Sequence, residues 1–283
     1  MSRPPVALLH GFATTFDSTW RHNGWVDLLQ DAGRRVVEID LLGHGRAPKP
    51  HEPEAYLELE ARVLDELPDE PVDIVGFSMG AQQAFQWAVS YPDITPAIVP
   101  YCGTAKTYGH GVVRLEGAIR ALTADAAFAG GRYTTPPKAG LEAWSTHWAG
   151  WVWSQEWWRR ELFKPQFKTV DEVIASRIAR DAVRDPNNMI AQARTWQRHN
   201  VGDTPGFGGD HEKALRAIKA RVLYMPCETD LYFPIGDARY ESQFLQSVTL
   251  RPIPSLWGHS AGSGGNPADV TFLNDQIRAF LAK

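Results

Sequence analysis

The chain has 283 residues, 43% of them hydrophobic and 22% charged. One large α/β unit can run this long, and it buries a sizeable core without disulfide or metal staples. The formal net charge of -4 leaves no basic excess, which argues against nucleic acid or an anionic membrane as the main partner.

In chain order, the first apolar run covers only residues 6–9. A signal peptide needs about 7–15 apolar residues and a membrane-spanning helix about 20, and no run reaches either. A cytoplasmic location is the expectation. Runs at 6–9, 36–39, 72–75, 97–99 and 222–225 are brief, mostly unbroken and bounded by Pro, Gly or charge. Parallel strands buried on both faces have this pattern. A sixth run, 248–253, is more mixed. Helical periodicity separates the early runs, at 25–32, 56–67 and 80–91. This rhythm predicts an α/β fold with a parallel sheet covered by helices.

The rhythm stops after Gly103. Residues 104–214 carry helical patterns at 111–124, 141–158, 170–184 and 188–199, with no comparable strand. The glycine-rich stretch 202–209 reads as a flexible return loop. The expected organisation is a core of residues 1–103 and 215–283 with a helical cap insertion at 104–214. The 11 tryptophans concentrate in that insertion. Trp144, Trp148 and Trp151 share a helical face, the spacing of side chains that join an insertion to its core. Trp144, Trp148 and Trp257 are the candidates to line a substrate pocket.

The strongest chemical signal is Gly76-Phe77-Ser78-Met79-Gly80, G-x-S-x-G placed directly between a strand and a helix. The glycines allow a tight strand-to-helix turn that presents the Ser78 hydroxyl at the carboxyl end of the sheet. A serine nucleophile needs a base, and the base needs an orienting acid. His259 follows the last strand-like run, while His110, His147, His199 and His211 fall in the insertion. Asp230 follows the run 222–225, with Glu228 as the fallback acid. The backbone N–H groups of Phe12 and Met79 are the candidate oxyanion donors. His10 and His44 read as structural turn residues, and Cys102 and Cys227 as small core residues. No dinucleotide, phosphate-loop or zinc pattern occurs, so no cofactor and no metal are expected.

His10-Gly11, Gly76-Phe77-Ser78-Met79-Gly80, Asp230 and Gly258-His259 resemble the α/β-hydrolase superfamily. The first 75 residues, with HGFATTFDSTW and DLLGHGRAPKP, look like small actinobacterial-type α/β hydrolases. From Gly76 onward, GFSMGAQQAFQWAVSYPD, GGRYTTPPKAGL, TDLYFP and IPSLWGH resemble the homoserine O-acetyltransferase-like group. A chimeric origin or natural divergence would each produce this two-part pattern. The resemblance implies an α/β-hydrolase fold with Ser78, Asp230 and His259 as triad. It also implies a shortened sheet of about six parallel strands without the antiparallel edge of larger relatives. True homoserine acetyltransferases have a long N-terminal region, and Gly-His-Asp where this chain has Gly258-His259-Ser260. Hydrolysis of a small acyl ester or thioester is therefore the leading expectation. Acyl transfer and a non-catalytic ligand-binding role are the alternatives, and a homodimer is the expected assembly.

Overall fold

A computed structural model describes residues 3–56 and 59–282. Six strands form one sheet: β1 (Val6–Leu9), β2 (Val36–Glu38), β3 (Asp73–Phe77), β4 (Ala97–Tyr101), β5 (Arg221–Tyr224) and β6 (Val248–Leu250). Their order is β2-β1-β3-β4-β5-β6, and every pair is parallel. The central strands β1, β3 and β4 are buried at every position. The edge strands β2 and β6 are only partly buried, which accounts for the mixed composition of the 248–253 run. Pro252 and Pro254 follow β6, which ends at Leu250, three residues short of the expected run.

Eleven α-helices follow in chain order among the described residues: α1 (Trp25–Asp31), α2 (Leu59–Glu66), α3 (Met79–Ser90), α4 (Gly109–Thr123), α5 (Lys138–Val152), α6 (Gln155–Arg159), α7 (Val170–Asp181), α8 (Pro186–Arg198), α9 (His211–Ala217), α10 (Ile235–Ser242) and α11 (Pro267–Leu281). The expected helix 56–67 corresponds to α2, and residues 57–58 of that expectation lie outside the described residues. Alternating strand side chains feed two cores. Ala7, Leu9 and Ile74 pack with α3, α9 and α10 on one face. Val6, Leu8, Val75 and Phe77 pack with α1 and α11 on the other.

The 141–158 pattern is two helices. Ser154 breaks it, because its hydroxyl accepts the Trp157 N–H at 3.0 Å and caps α6. An apolar pattern that runs on through the cap does not reveal the break. Helix α9 straddles the boundary expected at 214 and 215, and its Ala214 and Leu215 sit in the sheet core. The 202–209 stretch is tied down rather than loose. Gly209 N–H donates to Gly202 O at 2.8 Å, and Val201 N–H to Ala105 O at 3.1 Å.

The chain leaves the sheet after β4 through a buried polar knot. The Glu241 carboxylate accepts the Ala105 N–H at 3.0 and 3.1 Å. It also accepts the Tyr224 hydroxyl at 2.8 Å and the Tyr108 hydroxyl at 3.1 Å. Burial pushes this carboxyl up to about 7.

Candidate active site

The turn from β3 to α3 is set by backbone crowding. Ser78 has φ 59 and ψ -118, a strained setting for a residue with a side chain. A Cβ on Gly76 would sit 2.0 Å from Gly80 O, and one on Gly80 would sit 1.9 Å from Leu9 O. Only glycine fits at either place, so G-x-S-x-G is a steric requirement of this turn. Gly11 brings the loop after β1 against the serine, since a Cβ there would lie 2.8 Å from Ser78 Cβ.

The structure brings Ser78, His259 and Asp230 into one hydrogen-bonded chain. His259 Nε2 lies 2.9 Å from Ser78 Oγ, and His259 Nδ1 lies 2.8 Å from Asp230 Oδ2. An ionised carboxylate can only accept a hydrogen bond, so Nδ1–H donates to Asp230 and Nε2 is free to accept from Ser78. Asp230 Oδ1 accepts the Tyr232 N–H at 2.7 Å and the Phe233 N–H at 3.3 Å, which fixes the carboxylate. The His259 ring lies between Phe77, 5.1 Å away, and Tyr232, 4.3 Å away. All three residues are buried. Thr229 joins the acid loop to the histidine loop. It donates to Ser255 O at 2.8 Å and accepts the Gly258 N–H at 3.1 Å. The fallback acid Glu228 is exposed and takes no part.

Met79 is the first residue of α3, so its N–H has no intrahelical acceptor. Phe12 follows Gly11 on the facing loop, and its ring packs among Trp144, Trp148 and Trp196 at about 6 Å. His10 and His44 brace that loop. His10 Nε2 accepts the Leu41 N–H at 3.0 Å, and His44 Nε2 accepts the Ala13 N–H at 3.1 Å. Burial lowers them to about 4 and about 3, so both stay neutral near neutral pH. Cys102 and Cys227 are buried free thiols.

Ser78 and His259 open onto a cavity of about 230 Å³. Trp144 and Trp148 are among its lining residues. Trp257 does not line it, which corrects the expectation for that residue. Gly258 has φ 61, which turns the chain between Trp257 and His259, and the Trp257 ring packs on Trp157 at 5.9 Å. The sequence reading did not single out Trp153, Tyr232, Arg177 or Arg180, which also line the cavity. It also passed over Arg114 on α4. This buried guanidinium donates through Nη1 to Tyr232 O at 2.8 Å and Leu231 O at 3.1 Å. It lies 4.8 Å from the centre of the Tyr232 ring and 5.0 Å from that of Trp196. A lone arginine on an amphipathic helix gives no sequence signal for such a task.

Among the described residues no group of three metal-ligating side chains occurs, and no helix is long and apolar enough to cross a membrane. Comparison with known proteins gives four bearings. An ethyl acetate hydrolase from Pseudomonas veronii is 36% identical over 214 residues, covering 74% of this chain and 60% of that protein. A homoserine O-acetyltransferase from Trichormus variabilis is 26% identical over 201 residues, covering 66% of this chain and 54% of that one. The chain thus spans little more than half the length of these relatives. An acetylester hydrolase structure from Corynebacterium glutamicum superposes with a TM-score of 0.83 at 23% identity, covering 99% of this chain and 86% of that one. The family model described as alpha/beta hydrolase fold matches residues 4–215, and the chain belongs to that family.

Proposed function

We propose that the protein hydrolyses short-chain carboxylic esters through an acyl-enzyme on Ser78. The observation that carries this reading is the Ser78–His259–Asp230 hydrogen-bonded chain at the floor of the cavity. Ser78 Oγ attacks the ester carbonyl while His259 Nε2 takes its proton, and Asp230 holds the imidazole and stabilises the imidazolium. The N–H groups of Phe12 and Met79 serve as donors to the oxyanion. His259 returns the proton to the leaving alcohol, then activates the water that releases the acid. Helices α4 to α8 act as the cap that shields these steps. Cavity size favours short acyl groups, because about 230 Å³ is below the usual range for drug-sized ligands. The ethyl acetate hydrolase relative supports the same substrate class.

The test is covalent labelling with a fluorophosphonate, using Ser78→Ala as control, together with rates on a series of para-nitrophenyl esters of rising chain length. The reading expects labelling of wild type alone and a rate that falls beyond short acyl chains. Absence of both labelling and hydrolysis would overturn it. The acetyltransferase relative keeps acyl transfer as the second reading. Added acceptor alcohols would then divert acyl flux from water, which hydrolysis alone does not predict.

A further inference from the structure

Two buried arginines stand near the proposed catalytic groups, and they differ in what they do with their donors. Arg114 donates through Nη1 to two carbonyls, while its Nε and Nη2 find no acceptor and face aromatic rings. Arg177, on α7, lines the cavity with only 9% of its surface exposed. Among the described residues its guanidinium has no hydrogen-bond acceptor and no carboxylate at ion-pair distance, and Nε is wholly buried without a partner. The guanidinium carbon lies 5.6 Å from the centroid of the Trp153 ring. A desolvated cation without an acceptor is costly unless something else supplies the opposite charge.

The neighbouring acid attracts it from beyond ion-pair distance and supplies only part of that charge. Asp181 lies one helical turn on and also lines the cavity, but its oxygens are taken. Arg180 Nε donates to Oδ1 at 2.9 Å, and Arg184 Nε lies 3.1 Å from the same oxygen. Ser145 and Arg180 Nη2 each donate to Oδ2 at 3.2 Å. Arg180 and Arg184 thus share this carboxylate, and Arg177 is left without a direct bond to it. The indole N–H groups of Trp148 and Trp153, two further lining residues, also lack an acceptor. The wall is rich in donors and poor in acceptors. Burial lowers Arg177 to about 10, so it stays cationic at neutral pH.

Building on the ester-hydrolase reading above, we infer that the substrate is an ester bearing a carboxylate, and that Arg177 binds that carboxylate. A planar guanidinium fork matches a carboxylate edge to edge, and the small cavity suits a short chain between the two groups.

The experiment uses two matched pairs. The para-nitrophenyl half-ester of succinate is compared with para-nitrophenyl isocaproate, which places a branched alkyl group where the carboxylate was. Acetoxyacetate is compared with isobutyl acetate, which tests the alcohol side. The readout is the ratio of kcat/KM, charged over neutral, in wild type, Arg177→Gln and Arg177→Lys. Wild type should favour the charged member of one pair. Arg177→Gln should cut that ratio by about 10- to 100-fold, chiefly through KM, and Arg177→Lys should restore part of it. Succinate should also inhibit wild-type hydrolysis of neutral esters competitively, and butanediol should not. That arm holds even where a variant fails to fold. Preference for the neutral member in both pairs, or equal losses on both members in Arg177→Gln, overturns the inference. If neutral esters are hydrolysed without any charge preference, this inference alone falls. If no ester is hydrolysed and Ser78 is not labelled, the ester-hydrolase reading falls and takes this one with it.

Discussion

At the carboxyl ends of β1 and β3 the cavity is shaped by backbone. Gly11, Gly76 and Gly80 leave no room for a Cβ, and the serine between them is held at positive φ. Across the cavity, α5, α7 and α8 shape it by side chains, and α4 packs behind α5 and α8. Trp148 stacks on Trp196 at 5.8 Å, Trp196 stacks on Phe233 at 5.2 Å, and Arg114 lies against the same rings. A backbone-defined wall tolerates almost no substitution at its glycines. A wall of side chains can be rebuilt one residue at a time, so under the proposed function it is the region that would set substrate range.

The largest expected effect lies on the sheet side. Asp230→Asn should reduce kcat on short esters by about ten-thousandfold, with unchanged circular dichroism, because the histidine loses its tautomer and its counter-charge. A loss below tenfold would mean that the sheet side does not carry the chemistry. Next comes the aromatic wall. Trp148→Ala should lower stability by about 3–5 kcal/mol in urea denaturation. It should also move the preferred acyl length upward, which a purely structural tryptophan would not do. Arg114→Met should cost about tenfold in kcat with KM little changed, as a residue that positions the Asp230 loop through carbonyl contacts would. An altered pH–rate profile for His259 would separate this from simple loss of fold.

The smallest effect concerns the knot where the inserted segment leaves the sheet. Folded Glu241 titrates near 7, above its ordinary 4.5, so the folded state binds more protons between those values. Its contribution to stability is fully present below about 4.5 and is lost as pH rises through about 7. Glu241→Gln should remove that slope, so that its Tm, followed by scanning calorimetry across this range, declines less than that of wild type.

The strands were legible because parallel strands buried on both faces leave short apolar runs with sharp ends. The elbow was legible because its steric demand is written directly as two glycines around a serine. Asp230 and His259 followed from chain order after two strands. Trp257 was misplaced because nearness in sequence to His259 is undone by the turn at Gly258. The break at Ser154 hid within an unbroken aromatic run. Arg177 and Arg114 were invisible, since their significance lies in which acceptors they find or lack, and that is decided only when α7 packs on α5 and α4 reaches the loop after β5.

Arg114 also bears on how such proteins can be rebuilt. Its two bonds to the backbone just after Asp230 make α4 a brace for the Asp230 loop. A chain trimmed of the helices between β4 and β5, or given another relative's helices, would lose this support for the Asp230 loop. Exchange of these helices between relatives therefore has to carry a replacement for this strut, or begin after it.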